Sequence, residues 1–132
     1  MFGNFKHHID YPESIILKGF GDVFHCPHSR HTEVRRADIE KVDDLIVVAV
    51  SNEAGVHLVS DKTQRQFFLF GHWEYDRETL AKEYFRDKEK GLPIQIPYSY
   101  FPDDDPQNKP IFNWSCSANL LYSNWLNYCI YQ

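Results

Sequence analysis

His72 and Glu74 stand two positions apart at the end of the apolar run Phe67-Phe68-Leu69-Phe70-Gly71. Histidine is the side chain whose ordinary pKa lets it take up and return a proton near neutrality. A carboxylate beside it fixes the tautomer and stabilises the imidazolium, so the two together make a general base with its orienter. In extended backbone, residues i and i+2 leave the same face with Cα atoms about 6.5–7 Å apart, a gap a glutamate spans. The pair lacks a nucleophile, and His-x-Glu alone also fits a solvated loop pair.

A second cluster is His25-Cys26-Pro27-His28-Ser29-Arg30-His31. Three histidines and a cysteine this close invite a zinc reading. The spacing matches no standard zinc pattern, however, and Pro27 stiffens the middle of the run. The expected form is a loop that presents Ser29 and Arg30 to a polar ligand. His7 and His8 are neighbours whose side chains point opposite ways in an extended segment, which leaves a turn or interface position rather than a metal site. A metal-dependent hydrolase using the histidine-rich run therefore ranks last. Asp103-Asp104-Asp105 reads as a solvated turn. Cys26, Cys116 and Cys129 form no CxxC pair and are odd in number, which points to reduced thiols in a cytoplasmic protein.

The elements that must position these residues follow from pattern. Phe2-Gly3-Asn4-Phe5 is strand-like. Ser14 to Phe20 predicts a short helix ended by Gly19, and Asp38 to Asp43 a helical turn. Leu45 to Val50 is the strongest strand signal, β-branched and nearly free of polar atoms. Val56 to Val59 and Gln66 to Phe70 complete an antiparallel meander across the turns at 51–55 and 61–63. Asp76 predicts an N-cap for a helix over Arg77 to Lys90, with Leu80, Ala81, Tyr84 and Phe85 inward and Glu83, Asp87 and Lys88 facing water. By pattern Arg86 is a surface residue. Gly91 and Pro93 stop that helix, and Leu92 to Pro110 wraps the domain as an ordered loop. A last helix, about Ser115 to Tyr128, turns Leu121, Trp125 and Leu126 to the core. His72 and Glu74 thus lie where a core strand ends and a helix starts, the usual place of α/β active sites.

The 132 residues suit one domain, and 42% hydrophobic with 16% aromatic content excludes a disordered chain. A net charge of −5 argues against a nucleic-acid scaffold, since the basic cluster Arg30, Arg35, Arg36 and Lys41 is short. No apolar stretch approaches a membrane span, and no signal peptide opens the chain.

Side by side, Pro27-His28-Ser29-Arg30-His31-Thr32-Glu33, Glu53-Ala54-Gly55-Val56, Gly71-His72-Trp73-Glu74-Tyr75-Asp76, Tyr100-Phe101-Pro102-Asp103-Asp104-Asp105-Pro106 and Asn119 to Tyr128 resemble the homoserine O-acyltransferase family of methionine biosynthesis. The resemblance covers essentially the whole chain. It implies a class I glutamine-amidotransferase-like (flavodoxin-like) α/β fold, of which this is the C-terminal portion, a β-meander with flanking helices. It implies acyl-CoA and L-homoserine as substrates, no further cofactor, and a cysteine that carries the acyl group as a thioester before the homoserine hydroxyl attacks it. By that analogy His72 is the general base, Glu74 its orienting carboxylate and Ser29 a residue lining the acyl and substrate pocket. Arg86 becomes the arginine holding the homoserine carboxylate, a job for a planar bidentate donor.

The family nucleophile belongs to an N-terminal half that this chain lacks, and a substrate-contacting lysine would fall just before Met1. None of the three cysteines takes the nucleophile position. Trp73 replaces the usual proline between histidine and glutamate, and Ser115-Cys116-Ser117 replaces a more polar stretch. The resemblance leaves open succinyl or acetyl as the acyl group, homoserine or serine as acceptor, and a homodimer as the assembly. Alone, the chain is expected to lack acyl transfer. A remnant or interaction module is the alternative reading, because loss of half a sheet exposes apolar edges.

Overall fold

The computed structural model describes residues 1–131. Five strands, β1 (Phe2–Ile9), β2 (Val23–Ser29), β3 (Leu45–Ser51), β4 (Gly55–Asp61) and β5 (Phe67–Leu69), form one sheet in the order β2-β1-β3-β4-β5. Every pairing is antiparallel. Three α-helices accompany it, α1 (Arg36–Glu40), α2 (Thr79–Glu89) and α3 (Ser115–Trp125), and α3 runs on into a π-helical turn over Leu126–Ile130.

The meander β3-β4-β5 matches the alternation read from sequence, with one addition. The β3–β4 register shifts between Val47 and Ala49 and again between Ala49 and Val50. A bulge puts an extra residue on one strand. Here it turns both Val48 and Ala49 toward the main core while Val47 and Val50 join Ile39, Val56 and Val59 on the other face. The Val48 carbonyl accepts from the Asp10 and Tyr11 amides, so the bulge also anchors the end of β1.

The segment expected as a loop, His25 to His31, is mostly strand: β2 continues through Ser29. Phe5 pairs with Cys26 and His7 with Phe24, which carries Phe24, Cys26 and His28 to the same face as Phe5 and His7. The sheet therefore takes up a proline and two histidines because their alternate positions bury well.

Smaller corrections concern element ends. The helix predicted from Arg77 begins at Thr79, with Glu78 rather than Asp76 at its N-cap position and no side-chain cap bond. The helix predicted over Ser14 to Phe20 is a single 3-10 turn, Ile15–Leu17. Leu121 is buried as expected, but Trp125 is 40% exposed. Asn124 occupies the inward position instead, donating to the Ile16 and Lys18 carbonyls at 2.8 Å each.

The 92–110 segment is ordered by specific bonds. Tyr98 exchanges backbone bonds with Phe2 and Asn4. The Tyr100 hydroxyl accepts from the Ala81 amide and donates to the Arg77 carbonyl, pinning the first turn of α2. Trp114 Nε1 donates to the Tyr75 carbonyl at 2.8 Å. The loop and the residue before α3 thus hold the second half of the connection between β5 and α2.

Candidate active site

That connection carries His72, Glu74 and Tyr75. Gly71 leaves β5 through a space too small for any side chain: a Cβ there would lie 2.9 Å from Cys26 Sγ, from His28 Nε2 and from His57 Cε1. The Gly71 amide donates to His57 Nδ1 at 2.9 Å, and the His72 amide donates to the Pro27 carbonyl at 2.7 Å. Two strands therefore fix the backbone on either side of the Gly71 Cα, just before His72. Replacing Gly71 with alanine is expected to destabilise the chain by several kcal/mol, about 2–4, because neither the backbone nor three buried groups can yield freely. Chemical denaturation checks this, and a loss below about 0.5 kcal/mol would contradict it.

His72 and Glu74 do meet, but not as residues of an extended strand. The Tyr75 amide donates to the His72 carbonyl, closing a turn that brings the side chains together. His72 Nδ1–H donates to Glu74 Oε1 at 2.8 Å. An ionised carboxylate only accepts, so Nδ1 carries the proton and Nε2 presents its lone pair. The imidazole is 34% exposed, which leaves it open to a substrate. The Tyr75 ring stacks on it at 4.5 Å between centroids and 9° between planes.

Tyr75 extends the site to residues the sequence pattern had placed elsewhere. Its hydroxyl donates to Glu83 Oε1 at 2.6 Å, and Ser29 Oγ donates to Glu83 Oε2 at 2.8 Å. Burial, reinforced by the Glu83 hydrogen bond, pushes the Tyr75 phenol up to about 12, so it stays protonated and donating. Glu83, expected to face water, is half-buried and ties Ser29 of β2 to the Tyr75 ring that stacks on His72. Its signal was positional: it lies between the inward Leu80 and Tyr84 on α2. Arg86 follows one turn later, 59% exposed and paired with Asp87 at 3.0 Å. Ser29, His72 and Glu74 are thus linked through Tyr75 and Glu83, and Arg86 lies one turn beyond Glu83 on α2.

Behind this site lies a cluster absent from the sequence reading. His7, His28 and His57 are all buried, with ring nitrogens within 4.8 Å of one another. Arg30 donates to His28 Nδ1, so His28 carries its proton on Nε2 and donates it to His7 Nε2 at 2.9 Å. His57 Nδ1 accepts the Gly71 amide, so its proton is on Nε2. A metal needs an imidazole lone pair. The lone pairs of His28 Nδ1 and His57 Nδ1 are taken by Arg30 and the Gly71 amide, and the Arg30 charge faces the group, so the arrangement suits three neutral rings better than a cation. Burial lowers the pKa of His7 to about 3 and that of His28 to about 2, and puts His57 well below the ordinary histidine value.

Cys26 is fully buried against Gly71, and desolvation raises its thiol well above the ordinary value, which withholds the reactive thiolate. Burial raises Cys129 as well, and Cys116 is exposed on α3. Among the described residues, no helix is long and apolar enough to cross a membrane.

The chain is 55% identical over 132 residues to a homoserine O-acetyltransferase of Acetivibrio thermocellus, covering all of this chain and 43% of that protein. It is 55% identical over 131 residues to that of Geobacillus kaustophilus, and 51% identical over 132 residues to that of Clostridium beijerinckii, again covering 43% of each. The chain therefore spans less than half the length of these relatives. Among solved structures, that of SMU.1228c superposes with a TM-score of 0.62 at 16% identity, over 95% of this chain and 50% of the other, a likeness of fold. A family model described as homoserine O-succinyltransferase matches residues 1–132, and the chain belongs to that family of homoserine acyltransferases.

Proposed function

We propose that this chain supplies the general base and the acceptor pocket of a homoserine O-acyltransferase whose nucleophile lies outside these residues. The observation that carries the reading is the His72–Glu74 bond, which leaves Nε2 as a proton acceptor beside Tyr75, Ser29 and Glu83. In the proposed reaction a cysteine thiol gives its proton to His72 Nε2 and attacks the acyl-CoA carbonyl, and CoA leaves as its thiol, taking that proton back from His72. The homoserine hydroxyl then gives its proton to His72 Nε2 and attacks the acyl-thioester, releasing the cysteine and O-acylhomoserine. Glu74 stabilises the imidazolium in both steps.

An amino-acid acceptor carries an ammonium and a carboxylate. Glu83 supplies an anion for the first, and Arg86, freed from Asp87, a planar donor for the second. We propose the class I glutamine-amidotransferase-like architecture for the complete protein and cytoplasmic action in methionine biosynthesis. Acetyl-CoA is the donor that the relatives' names favour.

The reading is tested by placing these 132 residues in the corresponding segment of the Acetivibrio thermocellus homoserine O-acetyltransferase and measuring CoA release from acetyl-CoA and homoserine. The graft is expected to turn over and the chain alone to be inert. CoA release by the chain alone, abolished by His72→Ala, would overturn the missing nucleophile. In the graft, Arg86→Lys is expected to raise KM for homoserine by about 10-fold or more and leave kcat within about threefold, the pattern of lost ground-state binding. An unchanged KM would remove Arg86 from the pocket.

A further inference from the structure

We infer that His57, remote in sequence from the base, is a positioning residue that sets the orientation and tautomer of His72. The inference rests on the reading of His72 as the base. His57 is wholly buried, and its Nε2–H has no partner among the described residues. An unpaired buried donor is costly, so packing alone would favour an apolar side chain here. The polar bond His57 does make is from the Gly71 amide to its Nδ1, one residue before His72.

The surrounding geometry converts that bond into control of the base. Gly71 is held against Cys26, His28 and His57 with no room to shift, and the next amide is tied to Pro27. Trp73, one residue past His72, packs edge-on to the His57 ring at 4.6 Å. His57 therefore grips the chain on both sides of His72 by one hydrogen bond and one ring face. On the backbone so held, His72 Nδ1–H meets Glu74 and the Tyr75 ring lies flat against the imidazole. The grip needs an acceptor at the Nδ1 position, which a neutral His57 provides and a hydrocarbon does not.

Asparagine places an oxygen near the Nδ1 position, and leucine fills the volume without an acceptor. Solution NMR on the 15N-labelled chain, at a pH where His72 is neutral, reads two signals. These are exchange protection of the Gly71 amide and the Nδ1–H to Nε2–H tautomer ratio of the His72 ring. In His57→Leu, Gly71 exchange is expected to rise by about 10-fold or more, and the Nε2–H tautomer of His72 to become populated. His57→Asn is expected to restore both. A His57→Leu chain that is folded and keeps both signals overturns the inference. If His57→Leu does not fold, His57→Gln, whose oxygen reaches the Nε2 level, replaces it, and equal behaviour of Asn and Gln overturns the inference. Failure of the base reading is seen separately, as a graft whose turnover survives His72→Ala while the NMR signals respond to His57 as expected.

Discussion

Lowering the pH from about 6.5 to about 5 is expected to remove about 5 kcal/mol of the stability of this chain, earlier than carboxylate protonation would. The cause is the buried cluster. His7 faces Arg30 and His25 as well as the Phe5 and Phe24 carbonyls, and burial outweighs those carbonyls in lowering its pKa to about 3. His28 faces His7, Arg30, His72 and the amino terminus, and its pKa is lowered to about 2. His57 faces His7, His28, Arg30 and His72 and is lowered further by complete burial. Each ring is neutral in the fold and becomes protonated in the unfolded chain below about pH 6.5. The unfolded state then binds more protons, so stability is complete above that pH and is lost as pH falls toward the folded values. Each ring contributes a slope of about 1.4 kcal/mol per pH unit, and the three together about 4. His25, lowered by partial burial and by Lys6, adds in the same direction. A domain of ordinary stability, about 5–15 kcal/mol, would cross its midpoint between about pH 5 and pH 3. Urea titrations at half-unit steps measure the slope. A flat profile between about pH 6.5 and 5.5, where carboxylates contribute little, would show that the rings are not buried neutral.

The second large effect is catalytic. Replacing His72 with alanine in the graft is expected to lower kcat by about 10²–10⁴-fold with little change in KM, because the proton is moved in the transition state and not in the ground state. Glu74→Gln is expected to cost less, about 10–10³-fold. The glutamine amide oxygen can still accept the Nδ1–H bond, but the charge that stabilises the imidazolium is gone. A pH–rate profile separates the two variants: loss of the base removes the acidic limb, whereas loss of the carboxylate moves it. Equal, small effects would place the pair outside the reaction.

Much of the fold is legible in the sequence where one local rule acts alone. β-Branched runs between hairpin turns define β3 to β5, and an i, i+2 histidine and glutamate after a core strand do meet in a hydrogen bond. Misreadings arise where two rules compete. Phe24, Cys26 and His28 alternate as a strand, but His25, Pro27 and Ser29 carry loop chemistry, and the alternation wins because β1 supplies a complete ladder beside it. His57 looks unremarkable in the sequence and His7 is read only beside His8, and only strand pairing makes them neighbours of His28. Glu83 follows the helical period to a half-buried place, where Ser29 and Tyr75 hydroxyls satisfy its oxygens. Trp125 falls on an exposed flank of α3 beside Phe68 and Tyr122, all three 39–43% exposed, so the period of the helix alone does not settle which face is buried.

The central claim is that these residues hold the base and the acceptor pocket while the acyl group is carried elsewhere. Mapping the acylated residue tests it most directly. The graft is incubated with acetyl-CoA in the absence of homoserine, quenched in acid, digested, and its peptides weighed. The account predicts a thioester on a cysteine outside these 132 residues, discharged when homoserine is added. Acetyl on Cys26, Cys116 or Cys129, discharged by homoserine, would contradict it and make this chain the bearer of its own nucleophile.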